Sequence, residues 1–156
     1  MSRVIDRRLL DEVSAEARAS PRRRKNRNFH ASEADASHRL LNAIEPDSYI
    51  PPHRHLDAGK DETILVLRGR LGAVFFGEDG EAAQTAVLEP GGAAVGINVP
   101  HGVWHTVLAL EPGTVFFEAK AGPYAPLAET ERAPWAPAES DAGAAAYLAR
   151  LLALLG

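Results

Sequence analysis

Apolar residues recur at Ile5, Leu9, Val13 and Ala17, a step of four that lays one stripe along a helix. The spacing predicts a first α-helix, capped by Ser2 and ended by Pro21. Over 22–37 the pattern lapses into a polar stretch that reads as a loop, with Asn28-Phe29-His30 its best-ordered part. Beyond it the chain changes to short strands, expected over 38–44, 48–55, 62–67, 70–77, 81–88, 93–99, 103–110 and 114–120. Asp79-Gly80, Pro90-Gly91-Gly92 and Glu111-Pro112-Gly113 punctuate the run, and Asp79-Gly80 is its clearest hairpin signal. Eight short strands so spaced predict a mainly β sandwich or barrel. Residues 129–141 mix alanine, proline and charge and read as a linker to a last helix. In that helix Ala144, Tyr147, Leu148, Leu151, Leu152 and Leu155 share one face. So apolar a face docks on its own barrel or on a second subunit, and the need to cover sheet edges favours the subunit and a homodimer.

Composition narrows the chemistry. A chain of 156 residues suits one structural domain with a self-sufficient core. Its expected parts are a helix over 1–20 packed on the barrel, the barrel over 21–128, and a linker with the final helix over 129–156. Cysteine is absent, so a metal must be held by histidine and carboxylate, and thiol nucleophiles are excluded. The net charge of −4 argues against nucleic acid as a partner. One basic run departs from it, Arg22-Arg23-Arg24-Lys25-Asn26-Arg27. It reads either as a solvated loop or as a docking site for a phosphate or sugar nucleotide beside the barrel mouth. No apolar run reaches the roughly eighteen residues of a membrane span, and the N-terminus lacks the apolar centre of a signal peptide. A cytoplasmic protein without a membrane partner is the expectation.

The candidate chemistry is concentrated in two clusters. His53 and His55 stand two apart, so on an extended strand both side chains project to one face. Glu62 is near enough to return on a neighbouring strand, and Pro100-His101-Gly102-Val103-Trp104-His105 supplies a third imidazole once the sheet curls. Three imidazoles and one carboxylate suit a single divalent ion such as zinc, iron, nickel or manganese. His101 falls in the turn of the second cluster and is left out of the ligand set. Tyr49 shares the parity of Pro51, His53 and His55 and is placed in the cavity as a ligand-binding hydroxyl. Glu118 and Lys120 share a strand face with Phe116, as a paired ion bridge or as an acid and base within the barrel. Burial of Lys120 beside the ion would lower its pKa and make it a base.

The two clusters resemble the signatures of the cupin superfamily, an H-x-H pair followed by a glutamate and a glycine, then P-x-G-x-x-H. Here they read His53-Arg54-His55, Glu62, Gly69 and Pro100-His101-Gly102-Val103-Trp104-His105. The His55 to Glu62 spacing is longer than usual, and the customary glycine before the pair and asparagine after the last histidine are replaced. These departures point to a divergent branch. Ser20-Pro21-Arg22, Asn28-Phe29-His30, Arg39-Leu40-Leu41, Ser48-Tyr49-Ile50, Leu67-Arg68-Gly69-Arg70 and Glu118-x-Lys120-x-Gly122-Pro123 are similar to the WbuC-type cupin metalloproteins of bacterial surface-polysaccharide gene clusters.

The resemblance implies a single jelly-roll barrel with a helix at each end and one metal ion on His53, His55, Glu62 and His105. It also brings forward Asn28, His30 and Arg39 beside Tyr49 as substrate contacts, although Asn28 and Arg39 suit loop pinning and a surface ion pair equally well. Three functions follow as expectations: a metal-dependent isomerase or epimerase of a small carbohydrate-like substrate, an iron-dependent dioxygenase, or a metal-stabilised sugar-binding or sensor module.

Overall fold

The first apolar stripe forms α1 (Arg7–Ala19) in a computed structural model that describes all 156 residues. Its cap is Asp6 rather than Ser2: the carboxylate accepts a hydrogen bond from the Leu9 amide at 3.0 Å, and Ile5 is left exposed ahead of the helix. Eight strands follow, β1 (Arg24–Asn28), β2 (Ser37–Ile44), β3 (Glu62–Arg68), β4 (Leu71–Phe76), β5 (Ala82–Leu88), β6 (Gly96–Val99), β7 (Trp104–Ala109) and β8 (Thr114–Ala121). A final helix, α2 (Ala144–Ala153), ends the chain. The strands make two antiparallel sheets, one in the order β1-β2-β8-β3-β6 and the other β5-β4-β7. The protein is therefore mainly β, a cupin-type jelly roll with one helix before it and one after.

Side-chain alternation sets four layers. Inward positions of the larger sheet, Ile44, Ile64, Val66 and Phe116, meet Leu71, Ala73, Leu88, Val107 and Ala109 of the smaller one in the central core. The outward face of β2 and β8 offers Leu41, Ala43 and Val115 to Leu9, Val13 and Ala17 of α1. On the far side, Val74, Phe76, Trp104 and Leu108 receive Ala144, Leu148 and Leu151 of α2. This double covering explains why every residue of β7 is buried. It also answers where the last helix docks: its apolar face lies on its own barrel, where the sequence had favoured a second subunit. No helix is long and apolar enough to cross a membrane.

Three local expectations change. Residues 48–55 do not form a strand, because Pro51 and Pro52 have no amide to give to a ladder. Only His53 pairs, exchanging both backbone hydrogen bonds with His105 at 3.0 and 2.9 Å. Within the expected loop 22–37, Arg24–Asn28 becomes the edge strand β1, whose charged side chains keep a further strand from adding to it. The expected linker 129–141 holds a 3-10 turn at Glu129–Glu131 and packs Ala133 and Trp135 against the α2 layer. Gly69 behaves as the turn residue its motif position implies: its φ is +78°, and a Cβ there would fall 2.8 Å from the Thr114 Cα.

Candidate metal centre

Three separate stretches converge at one end of the barrel interior. Glu62 is the first residue of β3 and His105 the second of β7, both pointing between the sheets. The irregular 51–55 segment reaches them through the His53 backbone pairing with His105. One ligating atom from each of His53, His55, Glu62 and His105 lies within 4.8 Å of all the others. Glu62 and His105 are buried, and the other two are half-buried.

Hydrogen bonds orient the rings. The Nδ1 of His53 lies 3.0 Å from the Pro51 carbonyl, and that of His105 lies 2.8 Å from the Val103 carbonyl. A carbonyl can only accept, so each Nδ1 carries a proton and each Nε2 faces the cluster, where it can give its lone pair to an ion or, in His105 without one, donate to Glu62. Glu62 spans the group, with Oε1 3.0 Å from His55 Nε2 and Oε2 3.0 Å from His105 Nε2. Two donors bound at right angles to one ion with bonds of about 2.1 Å stand about 3.0 Å apart. The donor set thus fits one divalent cation in its chemistry, the two Glu62 contacts have the spacing of neighbouring ligands, and His53, His55, Glu62 and His105 can hold it.

Burial and the neighbouring His105 pull the His53 imidazole down to about 4, so its nitrogen is neutral and available near pH 7. Burial alone would raise the Glu62 carboxyl, but hydrogen bonds from His105 and His55 and the charge of Lys120 outweigh it and hold Glu62 ionised far below the usual range.

Beyond Glu62 the polar system continues along β8. Lys120 Nζ lies 2.8 Å from Glu62 Oε1 and 3.2 Å from Glu118 Oε1. Asn42 Nδ2 donates to Glu118 Oε2 at 3.1 Å. Desolvation would lower the Lys120 pKa, but Glu118 and Glu62 together push it up to about 12. Lys120 is therefore held as a cation between two carboxylates, the ion-bridge alternative of the sequence reading. Glu118 moves the other way: burial and the charge of Glu62 raise it, against the opposing pull of Lys120.

These groups line a cavity of about 330 Å³. Its walls include His53, Glu62, His105, Glu118 and Lys120, together with Arg24, Lys25, Asn26 and Asn42. Arg24 belongs to the basic run 22–27 that the sequence offered as a docking site beside the barrel mouth, whereas Asn42 was not singled out. Asn42 had a readable signal, a polar residue at an inward position of β2 between Leu41 and Ala43, which face α1.

The expected substrate contacts lie elsewhere. Tyr49 is buried in the α2 layer, and its hydroxyl donates to the Pro137 carbonyl at 2.8 Å. Its parity with His53 lost its meaning once the segment was not a strand. His30 stacks on His38 with ring centroids 3.9 Å apart, and its Nδ1 accepts from the Arg39 amide at 3.2 Å. The Arg39 side chain is exposed, and Asn28 is exposed on β1 with its Oδ1 accepting from Asn26 at 2.9 Å. None of these four lines the cavity. His101, exposed in its turn, is held by the Asp61 carboxylate through its amide at 2.9 Å and its Nδ1 at 3.0 Å.

A family model described as a domain of unknown function (DUF6016) matches residues 5–88, which include His53, His55 and Glu62 but stop short of His105. No curated protein matches the sequence. Among solved structures, the chain is similar to KdgF from Halomonas sp., with 16% identity, 68% of this chain and 84% of that chain covered, and a TM-score of 0.52. It is similar to a conserved protein of unknown function from Streptococcus pyogenes, with 15% identity, 80% and 91% coverage and a TM-score of 0.52. It is also similar to oxalate oxidase in complex with the substrate analogue glycolate, with 15% identity, 68% and 55% coverage and a TM-score of 0.50. Likeness at this level shows a shared fold.

Proposed function

The chain belongs to the DUF6016 family, and from that premise we propose that it is a metal-dependent enzyme acting on a small carbohydrate-like substrate, by isomerisation or epimerisation. The observation that carries the reading is the juxtaposition of three of the four donors, His53, Glu62 and His105, with Glu118 and Lys120 on the wall of one cavity of about 330 Å³. That volume suits a single sugar-sized molecule. In this reading His53, His55, Glu62 and His105 hold one divalent ion, whether zinc, iron, nickel or manganese. The ion supplies Lewis-acid polarisation of a carbonyl or hydroxyl oxygen.

The protein's own groups supply the proton handling. Glu118, with its pKa raised by burial, is the group suited to take a proton from carbon and return it. Asn42 and Lys120 each donate to one of its oxygens and so fix the direction in which the carboxylate points. Lys120 bridges Glu118 and Glu62 and compensates their charge. The similarity to WbuC-type cupins along residues 20–123 supports bacterial surface-polysaccharide metabolism in the cytoplasm as the setting. A homodimer, with no nucleic-acid or membrane partner, belongs to the same proposal.

The test is solvent exchange. Metal-loaded protein is incubated in D2O with a panel of aldoses, ketoses and sugar nucleotides, and deuterium entry at the carbon beside the carbonyl is followed by NMR. Expected is exchange with at least one substrate, abolished in Glu118→Gln while the metal content is unchanged. No exchange with any member overturns the isomerase reading. Oxygen consumption by the iron-loaded protein would replace it with a dioxygenase, and sugar binding without turnover would replace it with a binding module.

A further inference from the structure

The basic edge strand β1 meets the C-terminal segment through one acidic residue. Arg24 is a wall residue of the metal-centre cavity, with its side chain 16% exposed, and its guanidinium faces Glu139 in a two-pronged geometry. Nη1 donates to Oε1 at 2.7 Å and Nη2 to Oε2 at 2.9 Å. Arg22 approaches the same carboxylate from the surface side, with Nη2 3.0 Å from Oε2. Bonds from Arg24 Nη1 to Ser48 Oγ at 3.2 Å and to the Tyr49 carbonyl at 3.3 Å aim the guanidinium independently of Glu139.

Glu139 belongs to an adjoining cavity of about 280 Å³ that shares Arg22, Arg24, Ile50 and His53 with the main one. Its carboxylate therefore sits at the common wall. Arg22, Arg24, Lys25 and Lys120 line the main cavity against only Glu62 and Glu118, so the wall away from the metal centre is cationic. A preoriented arginine fork beside a cavity that holds a metal-ligand cluster is built to receive a planar two-oxygen anion.

We propose that Arg24, assisted by Arg22, is an anion subsite of this cavity, that it takes the carboxylate of a small polyhydroxy acid, and that Glu139 occupies it as an internal stand-in which the ligand displaces. This names the substrate class within the function proposed above and rests on that reading. It assigns Glu139 a competitive role in addition to fastening the C-terminal segment.

The experiment uses the metal-loaded full chain, with gluconate as the anionic probe and sorbitol as its uncharged counterpart, and titrates each by calorimetry into the parent, Glu139→Gln and Arg24→Gln. Removing the internal competitor tightens gluconate by about fivefold or more, on the scale of a partly exposed ion pair. Sorbitol affinity stays level, and Arg24→Gln weakens gluconate. Arg22→Gln, at the more exposed half of the pair, gives a smaller loss of the same sign and serves where Arg24→Gln does not fold. Gluconate affinity unchanged or weaker in Glu139→Gln overturns the inference, as does a gain that sorbitol shares or the absence of gluconate binding throughout. If these results come with one equivalent of metal retained and with deuterium exchange intact, the anion subsite alone fails. Loss of exchange in the parent removes the reading beneath it.

Discussion

The two ends of the barrel interior are built from the same strands and behave in opposite ways. Along β3 the inward positions run Glu62, Ile64, Val66; along β8 they run Phe116, Glu118, Lys120; along β7 they run His105, Val107, Ala109. The antiparallel register sets Glu62 opposite Lys120, Ile64 opposite Glu118 and Val66 opposite Phe116. One end therefore collects imidazoles, carboxylates and an ammonium, while the other collects aliphatic and aromatic groups. Alternation decides only that a residue faces inward; its position along the strand decides which end it joins. A one-residue slip of β3 would turn Glu62 outward and dismantle both ends at once. The apolar end holds the register, and the polar end depends on that register for its geometry.

The largest effect expected from separating the two ends is at the apolar one. Leu71 is fully buried between the sheets, so Leu71→Ala costs about 2–5 kcal/mol of unfolding free energy, through lost transfer and a residual cavity. Urea unfolding measures it, and metal per folded molecule stays unchanged. A loss of metal without a loss of stability would show that the ends are not divided as described.

At the polar end, Lys120→Met leaves Glu62 and Glu118 without the ammonium that bridges them. The metal-free protein is expected to lose about 1–3 kcal/mol, less than Leu71→Ala, because part of the Lys120 side chain reaches solvent. Double substitution Lys120→Met with Glu118→Gln should recover part of that loss. No recovery would mean that Lys120 acts by packing alone.

The smallest effect separates polar from apolar attachments by acid. Burial alone would raise the Glu139 pKa, but hydrogen bonds and charge from Arg24 and Arg22 outweigh it and bring it to about 2, from an ordinary value of 4.5. A depressed carboxyl stabilises the fold fully above its unfolded value. That contribution is lost as pH falls from 4.5 through 2. The stability deficit of Glu139→Gln should therefore be present at pH 6 and vanish towards pH 2, whereas the Leu71→Ala deficit persists across the same window. Urea midpoints at successive pH values make the comparison.

The sequence made most of the barrel legible because period-two alternation and turn glycines are local signals. The faces of β7 follow from it, His105 and Val107 against Trp104, Thr106 and Leu108. The gathering of His53, His55, Glu62 and His105 was legible through motif spacing. What escaped depends on partners distant in the chain. β1 has no apolar alternation, being a charged edge strand, so only its pairing with β2 reveals it. The 48–55 segment has strand-like composition, but two prolines reduce its pairing to His53, and the placement of Tyr49 in the cavity failed with it. Of the two readings of Glu118 and Lys120, the paired ion bridge is present, and the partner the sequence did not supply for it is Glu62 on the neighbouring strand. Glu139 meets Arg24 across 115 residues of sequence, a contact no local pattern announces.

The central claim is that the polar end holds one divalent ion on four named side chains. Its most direct test is elemental analysis of untagged protein after exposure to an equimolar mixture of zinc, iron, nickel and manganese salts under anaerobic conditions, followed by desalting, beside Glu62→Gln and His105→Ala. About one equivalent in the parent, falling below about a tenth in both folded variants, is the predicted result. A parent that retains no metal, or variants that retain as much as the parent, would contradict the account.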